Sequence, residues 1–122
     1  MATEAACIFC KINRGEIPST RVHESANFFA IVDIQPHAKK HFLVMPKEHV
    51  ASLEDAFPLQ GKHRTELVGE LIETATLVAR EQGLLPGGFR LVLNTGPDAG
   101  QTVFHIHAHV IGGEPLKGGF GA

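Results

Sequence analysis

The sequence predicts an α+β fold: a mainly antiparallel sheet of five strands, covered on one face by one long helix, with short helices beside it. Three observations predict it. Apolar residues recur at three- and four-residue spacing in one long stretch, Leu67, Val68, Leu71, Ile72, Ala75, Val78 and Ala79, between Lys62 and Gln82. Elsewhere, short runs rich in Val, Ile and Phe are punctuated by Gly and Pro, the mark of strands and turns. The resulting order, helix, three strands, helix, two strands, suggests an antiparallel arrangement.

Taken in order, residues 7–14 (CIFCKINR) form a short helix or turn, closed by Gly15 and the Ile17-Pro18 break. Arg21–Ser25 and Phe28–Asp33 read as a hairpin joined near Ala26-Asn27. A third strand runs from His41 to Met45, between Pro36 and Pro46. Gly83 offers a C-cap to the long helix. After Pro86-Gly87-Gly88, Phe89–Asn94 alternates Phe89, Leu91 and Leu93 against Arg90, Val92 and Asn94, and Val103–Ile111 forms the last strand. No repeat, linker or low-complexity tract divides residues 1–122, which read as a single domain.

Composition bounds the function. Hydrophobic residues make up 43% and charged residues 20%, ordinary for a soluble globular chain. A formal charge of −2 argues against nucleic acid as a partner, because such binding needs a basic patch. No apolar run is long enough to span a bilayer and no charged-then-apolar leader opens the chain, so no membrane association and a cytoplasmic location are expected. Eight histidines stand against no tryptophan and no tyrosine, which favours imidazole chemistry or metal binding. Cys7 and Cys10 sit at C-x-x-C spacing, too few cysteines for a disulfide scaffold.

The histidines concentrate in His105-Ile106-His107-Ala108-His109. On a strand, a period of two puts these three imidazoles on one face and Phe104, Ile106, Ala108 and Val110 on the other. A neutral imidazole nitrogen can attack phosphorus and form a phosphohistidine-type intermediate, provided its other nitrogen donates its hydrogen to a fixed acceptor. Flanking imidazoles can hydrogen-bond the phosphate oxygens and stabilise developing charge. His107, with a neighbour on each side, is the candidate nucleophile. His109 and N–H groups of the loop Thr95–Thr102 would bind the phosphate, with Gly96 and Gly100 permitting an anion nest. Spacing leaves two other readings open: a zinc or copper site, and hydrogen-bonded core histidines.

H-I-H-A-H-V-I resembles the signature of the histidine-triad (HIT) family. Asn94, the Gly100-Gln101-Thr102-Val103-Phe104 lead-in and Gly112-Gly113 are similar to its Hint branch. So are Cys7-Ile8-Phe9-Cys10-Lys11-Ile12, Gly15-Glu16-Ile17-Pro18 and the stretch from His41 to His49, and the resemblance covers residues 7–116. It implies a homodimeric purine nucleoside phosphoramidate hydrolase, of the adenosine monophosphoramidase type. Such an enzyme releases an amine and a nucleoside monophosphate through a nucleotidylated histidine, without an organic cofactor. The implied substrate is a purine nucleotide of AMP or GMP type.

By motif, the resemblance makes His107 the nucleophile, has His109 contact the phosphate and assist the leaving group, and gives His105 a supporting role. His41 orders the triad by hydrogen bonding, and Asn94, Gly100, Gln101 and Thr102 line the phosphate side. Asp33 holds the ribose hydroxyls, a role suited to a carboxylate that accepts two hydrogen bonds. Phe9, Ile12, Ile17, Ile34 and Leu43 wall the base. Without the resemblance, Asp33 reads as a turn former and the apolar residues as core. Part of the long helix surface forms the implied dimer interface. Lys39-Lys40 reads as a solvated turn, and His23, His37 and His63 as surface residues.

Some members of the branch, bacterial ones especially, carry this C-x-x-C and bind zinc with two histidines. The matching set is Cys7, Cys10, His49 and His105, a closed tetrahedral structural site. Two reduced cysteines are the plain alternative. The sequence departs from animal members in lacking their C-terminal tryptophan; Phe120 stands in a related place or belongs to a Gly-rich end. Ala108 is smaller than the hydrophobic residue usual there, which affects packing more than mechanism. Two rival functions are hydrolysis of dinucleoside polyphosphates, as in the sister Fhit-type branch, and a nucleotide- or zinc-binding interaction module with vestigial catalysis. Gly112-Gly113 favours the Hint branch over the first, and the intact triad argues against the second.

Overall fold

The computed structural model describes residues 4–118; Phe120 and the rest of the Gly-rich end lie outside the described residues. Within them, helix α1 (Ile8–Asn13) precedes strands β1 (Arg21–Glu24), β2 (Phe28–Val32) and β3 (Lys40–Pro46). A short α2 (Leu53–Ala56) and the long α3 (Thr65–Glu81) follow, then β4 (Phe89–Val92), a 3-10 turn at Pro97–Ala99, and β5 (Ala108–Gly112). The strands pair antiparallel in the order β1-β2-β3-β5-β4. The expected α+β class and the single antiparallel sheet are both present. Among the described residues, no helix is long and apolar enough to cross a membrane.

Packing explains why β2 and β3 read as nearly continuous apolar runs: both faces of the sheet are covered. On one face Phe28, Ala30, Phe42, Val44, Ala108 and Val110 meet Leu71, Ala75, Val78 and Ala79 of α3. On the other, Phe29, Ile31, Leu43 and Met45 meet Phe9 and Ile12 of α1. Cys7 caps α1, its Sγ accepting the Cys10 N–H at 3.4 Å. At the far end of β5, a Cβ on Gly112 would lie 3.0 Å from the main-chain oxygen of Gly88, so a larger residue there would require the Gly88 segment to give by a few tenths of an ångström.

The last strand differs from expectation. It spans Ala108–Gly112 rather than Val103–Ile111, so His109 stands on it while His105 and His107 precede it. The cause is a change of hydrogen-bond partner: the Ile106 N–H goes to Val50 O at 2.7 Å, beyond the end of β3. Alternation of sides nonetheless persists from residue 105 to 110. Ile106, Ala108 and Val110 enter the α3 core, while Phe9 packs edge-on to His105 and His107, with centroids 5.8 and 5.0 Å away. Phe104, expected in the core, is 46% exposed because the irregular segment turns it outward.

Candidate functional site

The sheet assembles the site from three strands. Asp33 follows β2, and its N–H donates to His41 O at 3.0 Å, which sets it beside the start of β3. His109 pairs with Leu43, so His41 lies diagonally across from it on the same face. His41 Nε2 consequently reaches His109 Nδ1 at 2.9 Å and Asp33 Oδ2 at 3.3 Å. Asp33 also accepts the Gln35 N–H at 2.8 Å through Oδ1, so it forms a turn as well as facing the histidines.

Main-chain groups determine which nitrogens are free. A carbonyl only accepts, so His107 Nδ1, 2.7 Å from His105 O, carries the hydrogen and Nε2 keeps its lone pair. His105 Nε2 donates to Pro46 O at 2.7 Å, which leaves its Nδ1 lone pair facing the cysteines. Burial lowers the pKa of His107 and His41, and holds His105 and His109 down at about 4. At neutral pH these rings are uncharged bases and donors. That is the state a nucleophilic imidazole requires.

Beside them opens a cavity of about 510 Å³. Phe9, Ile12, Ile17, Ile34 and Leu43 line it together with Asp33, bringing the sequence-predicted base wall and the carboxylate to one place. Ile34 stands at its lip, 93% exposed. An apolar slot with one carboxylate at its edge fits a flat heterocycle joined to a polyol.

The loop after β4 differs from the expected anion nest. Gly96 and Gly100 do adopt positive φ, 82° and 92°. Their N–H groups, however, are already bonded, Gly100 to Pro97 O at 3.0 Å and Gly96 to Gln101 Oε1 at 2.9 Å, while the Gln101 N–H goes to Gly96 O at 3.1 Å. Gln101, expected on the phosphate side, is buried and turned inward, its Nε2 donating to Ala51 O and Val103 O. Asn94 follows β4 half-buried, and Thr102 lines a second cavity next to Cys7 and His49.

Cys7, Cys10, His49 and His105 form a second cluster, whose His105 ring packs edge-on to Phe9. Tetrahedral zinc, with bonds of about 2.3 Å to sulfur and 2.05 Å to nitrogen, separates S from N by about 3.5 Å and N from N by about 3.3 Å. Here Cys7 Sγ and Cys10 Sγ lie 3.3 and 3.6 Å from His105 Nδ1, and Cys10 Sγ lies 3.6 Å from His49 Nδ1. The two Nδ1 atoms are 3.3 Å apart. The donor set fits zinc in chemistry and in spacing.

Two of the remaining histidines hold surface contacts: His23 meets Glu81 at 3.0 Å and His63 meets Pro58 O at 3.1 Å. His37 differs. Its ring is exposed, but its main-chain N–H donates to His41 Nδ1 at 3.0 Å. Nothing in its side chain signals this, since the donor is the backbone.

Comparison with known proteins agrees with this geometry. The HIT domain family matches residues 14–116. Purine nucleoside phosphoramidase of Escherichia coli (strain K12) is 38% identical over 109 residues, 89% of this chain and 88% of that protein. A histidine triad protein from Clostridium difficile superposes with a TM-score of 0.87 at 39% identity, covering 97% of this chain and 99% of the other. A zinc-bound histidine triad family protein from Mycobacterium smegmatis superposes at 0.75 with 39% identity, over 88% and 74% of the respective chains. The family match, the shared fold and the imidazole cluster at one end of β5 lead to one conclusion: the chain belongs to the HIT family and is a hydrolase.

Proposed function

We propose that the protein hydrolyses purine nucleoside phosphoramidates in two steps through His107. The observation that carries this is the 2.7 Å contact of His107 Nδ1 with His105 O, which leaves Nε2 as a free lone pair beside the apolar cavity. Nε2 attacks phosphorus, the P–N bond breaks, and its electron pair leaves with the amine nitrogen. Water then attacks phosphorus, the P–Nε2 bond breaks, and the nucleoside monophosphate departs. In this reading Asp33 accepts the ribose hydroxyls, the cavity takes the base, and His109 donates to the phosphoryl group. Asn94 and Thr102 flank it with polar side chains, and Gln101 acts from behind by holding the loop.

We further propose a zinc on Cys7, Cys10, His49 and His105. When bound it supplies a structural tie, joining the N-terminal segment to the residue whose carbonyl orients His107. A homodimer is the proposed assembly, supported by the unpaired edge of β4 and by the exposed Ile72 and Leu77 of α3. The free cysteine pair suits a reducing, cytoplasmic setting.

The test uses an adenosine phosphoramidate and, separately, a diadenosine polyphosphate, with wild type and His107→Ala. Wild type is expected to release AMP from the phosphoramidate, and His107→Ala to lose at least about 10³-fold in turnover. Unchanged turnover in the variant would overturn the assignment. Nucleotide binding without turnover of either compound would indicate a binding module.

A further inference from the structure

We propose that the main-chain N–H of His37 is a positioning group for the reaction, fixing the hydrogens of His41 and His109 so that His109 presents Nε2–H to the phosphoryl group. The phosphoryl group comes from the function proposed above; the hydrogen placement stands on three contacts alone.

The first contact anchors the others. An amide N–H can only donate, and that of His37 lies 3.0 Å from His41 Nδ1, which must therefore hold a lone pair. A neutral imidazole has one N–H, so that of His41 is on Nε2. His41 Nε2 faces His109 Nδ1 at 2.9 Å and Asp33 Oδ2 at 3.3 Å, a three-centre donation to two acceptors. His109 Nδ1 thus accepts, and its own hydrogen sits on Nε2. A cationic His41 is excluded by the same contact, because Nδ1–H would point at the His37 N–H. Burial of His41, 2% exposed, opposes the charge independently.

The arrangement also decides between two uses of the cluster. Donor atoms of Asp33, His41 and His109 all lie within 4.8 Å of one another, close enough for a cation. A metal on His41 Nε2 would displace the ring's last hydrogen while the His37 amide still held Nδ1, leaving an imidazolate. The cluster therefore holds hydrogens in place rather than a metal.

The sequence builds the amide's position deliberately. Asp33 Oδ1 accepts the Gln35 N–H at 2.8 Å, Pro36 restricts the backbone before His37, and Lys39 N–H donates to Glu114 Oε2 at 2.7 Å. The β2–β3 connection is thus pinned at both ends. Such a donor costs no reorganisation during reaction.

Long-range ¹H–¹⁵N spectra of the imidazoles, recorded without substrate at neutral pH, test this directly. Wild type is expected to show His41 and His109 as Nε2–H tautomers. His37→Pro deletes the N–H together with the ring, which His37→Ala removes by itself, and is expected to give mixed tautomers at both His41 and His109, with kcat lower on the order of tenfold and KM within about twofold. His37→Ala retains the amide and the wild-type tautomers. An Nδ1–H on His109 in wild type, unchanged spectra in His37→Pro, or the same change in His37→Ala would each overturn the proposal. Should His37→Pro fail to fold, the wild-type spectrum decides alone. None of these outcomes depends on which substrate is hydrolysed.

Discussion

Gln101 accepts the main-chain N–H of Gly96 at 2.9 Å, closing the loop ahead of the histidines upon itself. Its other end donates to Ala51 O at 2.8 Å and Val103 O at 3.1 Å, so one buried amide joins three segments. Gln101→Leu leaves one N–H and two carbonyls short of a partner. A loss of about 2–4 kcal/mol in unfolding free energy is expected by chemical denaturation. Gln101→Glu should be at least as damaging, since a carboxylate would face the two carbonyls.

Removing the thiolates should remove the metal. Wild type purified without chelators is expected to carry one zinc per chain, and the double variant Cys7→Ser, Cys10→Ser none, by elemental analysis. His49→Ala tests the same site from the other side of the cluster.

Stability should fall in mild acid. His109 has a folded-state pKa of about 4, below its ordinary 6.5, with burial as the main cause. Between those values the unfolded chain binds the proton and the folded chain does not, so stability declines as pH drops from 6.5 and levels off below 4. For a fully buried ring the shift corresponds to about 3 kcal/mol; His109 is partly exposed, so about 1 kcal/mol is expected. Denaturation midpoints across this range check the sign.

If Asp33 accepts the ribose hydroxyls, Asp33→Asn should raise KM about tenfold for a ribonucleoside phosphoramidate. The change should be much smaller for the dideoxy analogue, which lacks the hydroxyls. Equal effects on both would assign Asp33 to ordering His41 alone.

The proposed dimer predicts a sedimentation mass of twice the 13.2 kDa chain. A charge on the exposed helix face, Ile72→Glu with Leu77→Glu, should return it to one.

Much of this architecture was legible in the sequence because its signals were local. The period of α3, the Gly and Pro breaks and the apolar runs of β2 and β3 place those elements within one to three residues. The three candidate histidines and the C-x-x-C were equally visible. What escaped depends on main-chain partners distant in sequence. Ile106 leaves the ladder for Val50, Gln101 turns toward Ala51, and His37 acts through its amide. Side-chain patterns carry no record of such bonds. The four-residue α2 and the turn at Pro97–Ala99 are too short for a periodic signal.

The rings of His37, His41, His109 and His107 stand in a row, with successive centroids 5.4, 5.1 and 5.1 Å apart. A file of imidazoles running from the surface inward has the outline of a proton wire. This one is closed at the His37 end, because the chain there stops at a peptide amide that cannot release its hydrogen, and its one titratable branch is the Asp33 carboxylate beside His41. In the proposed reaction, the hydrogen that this row holds toward phosphorus is the one on His109 Nε2.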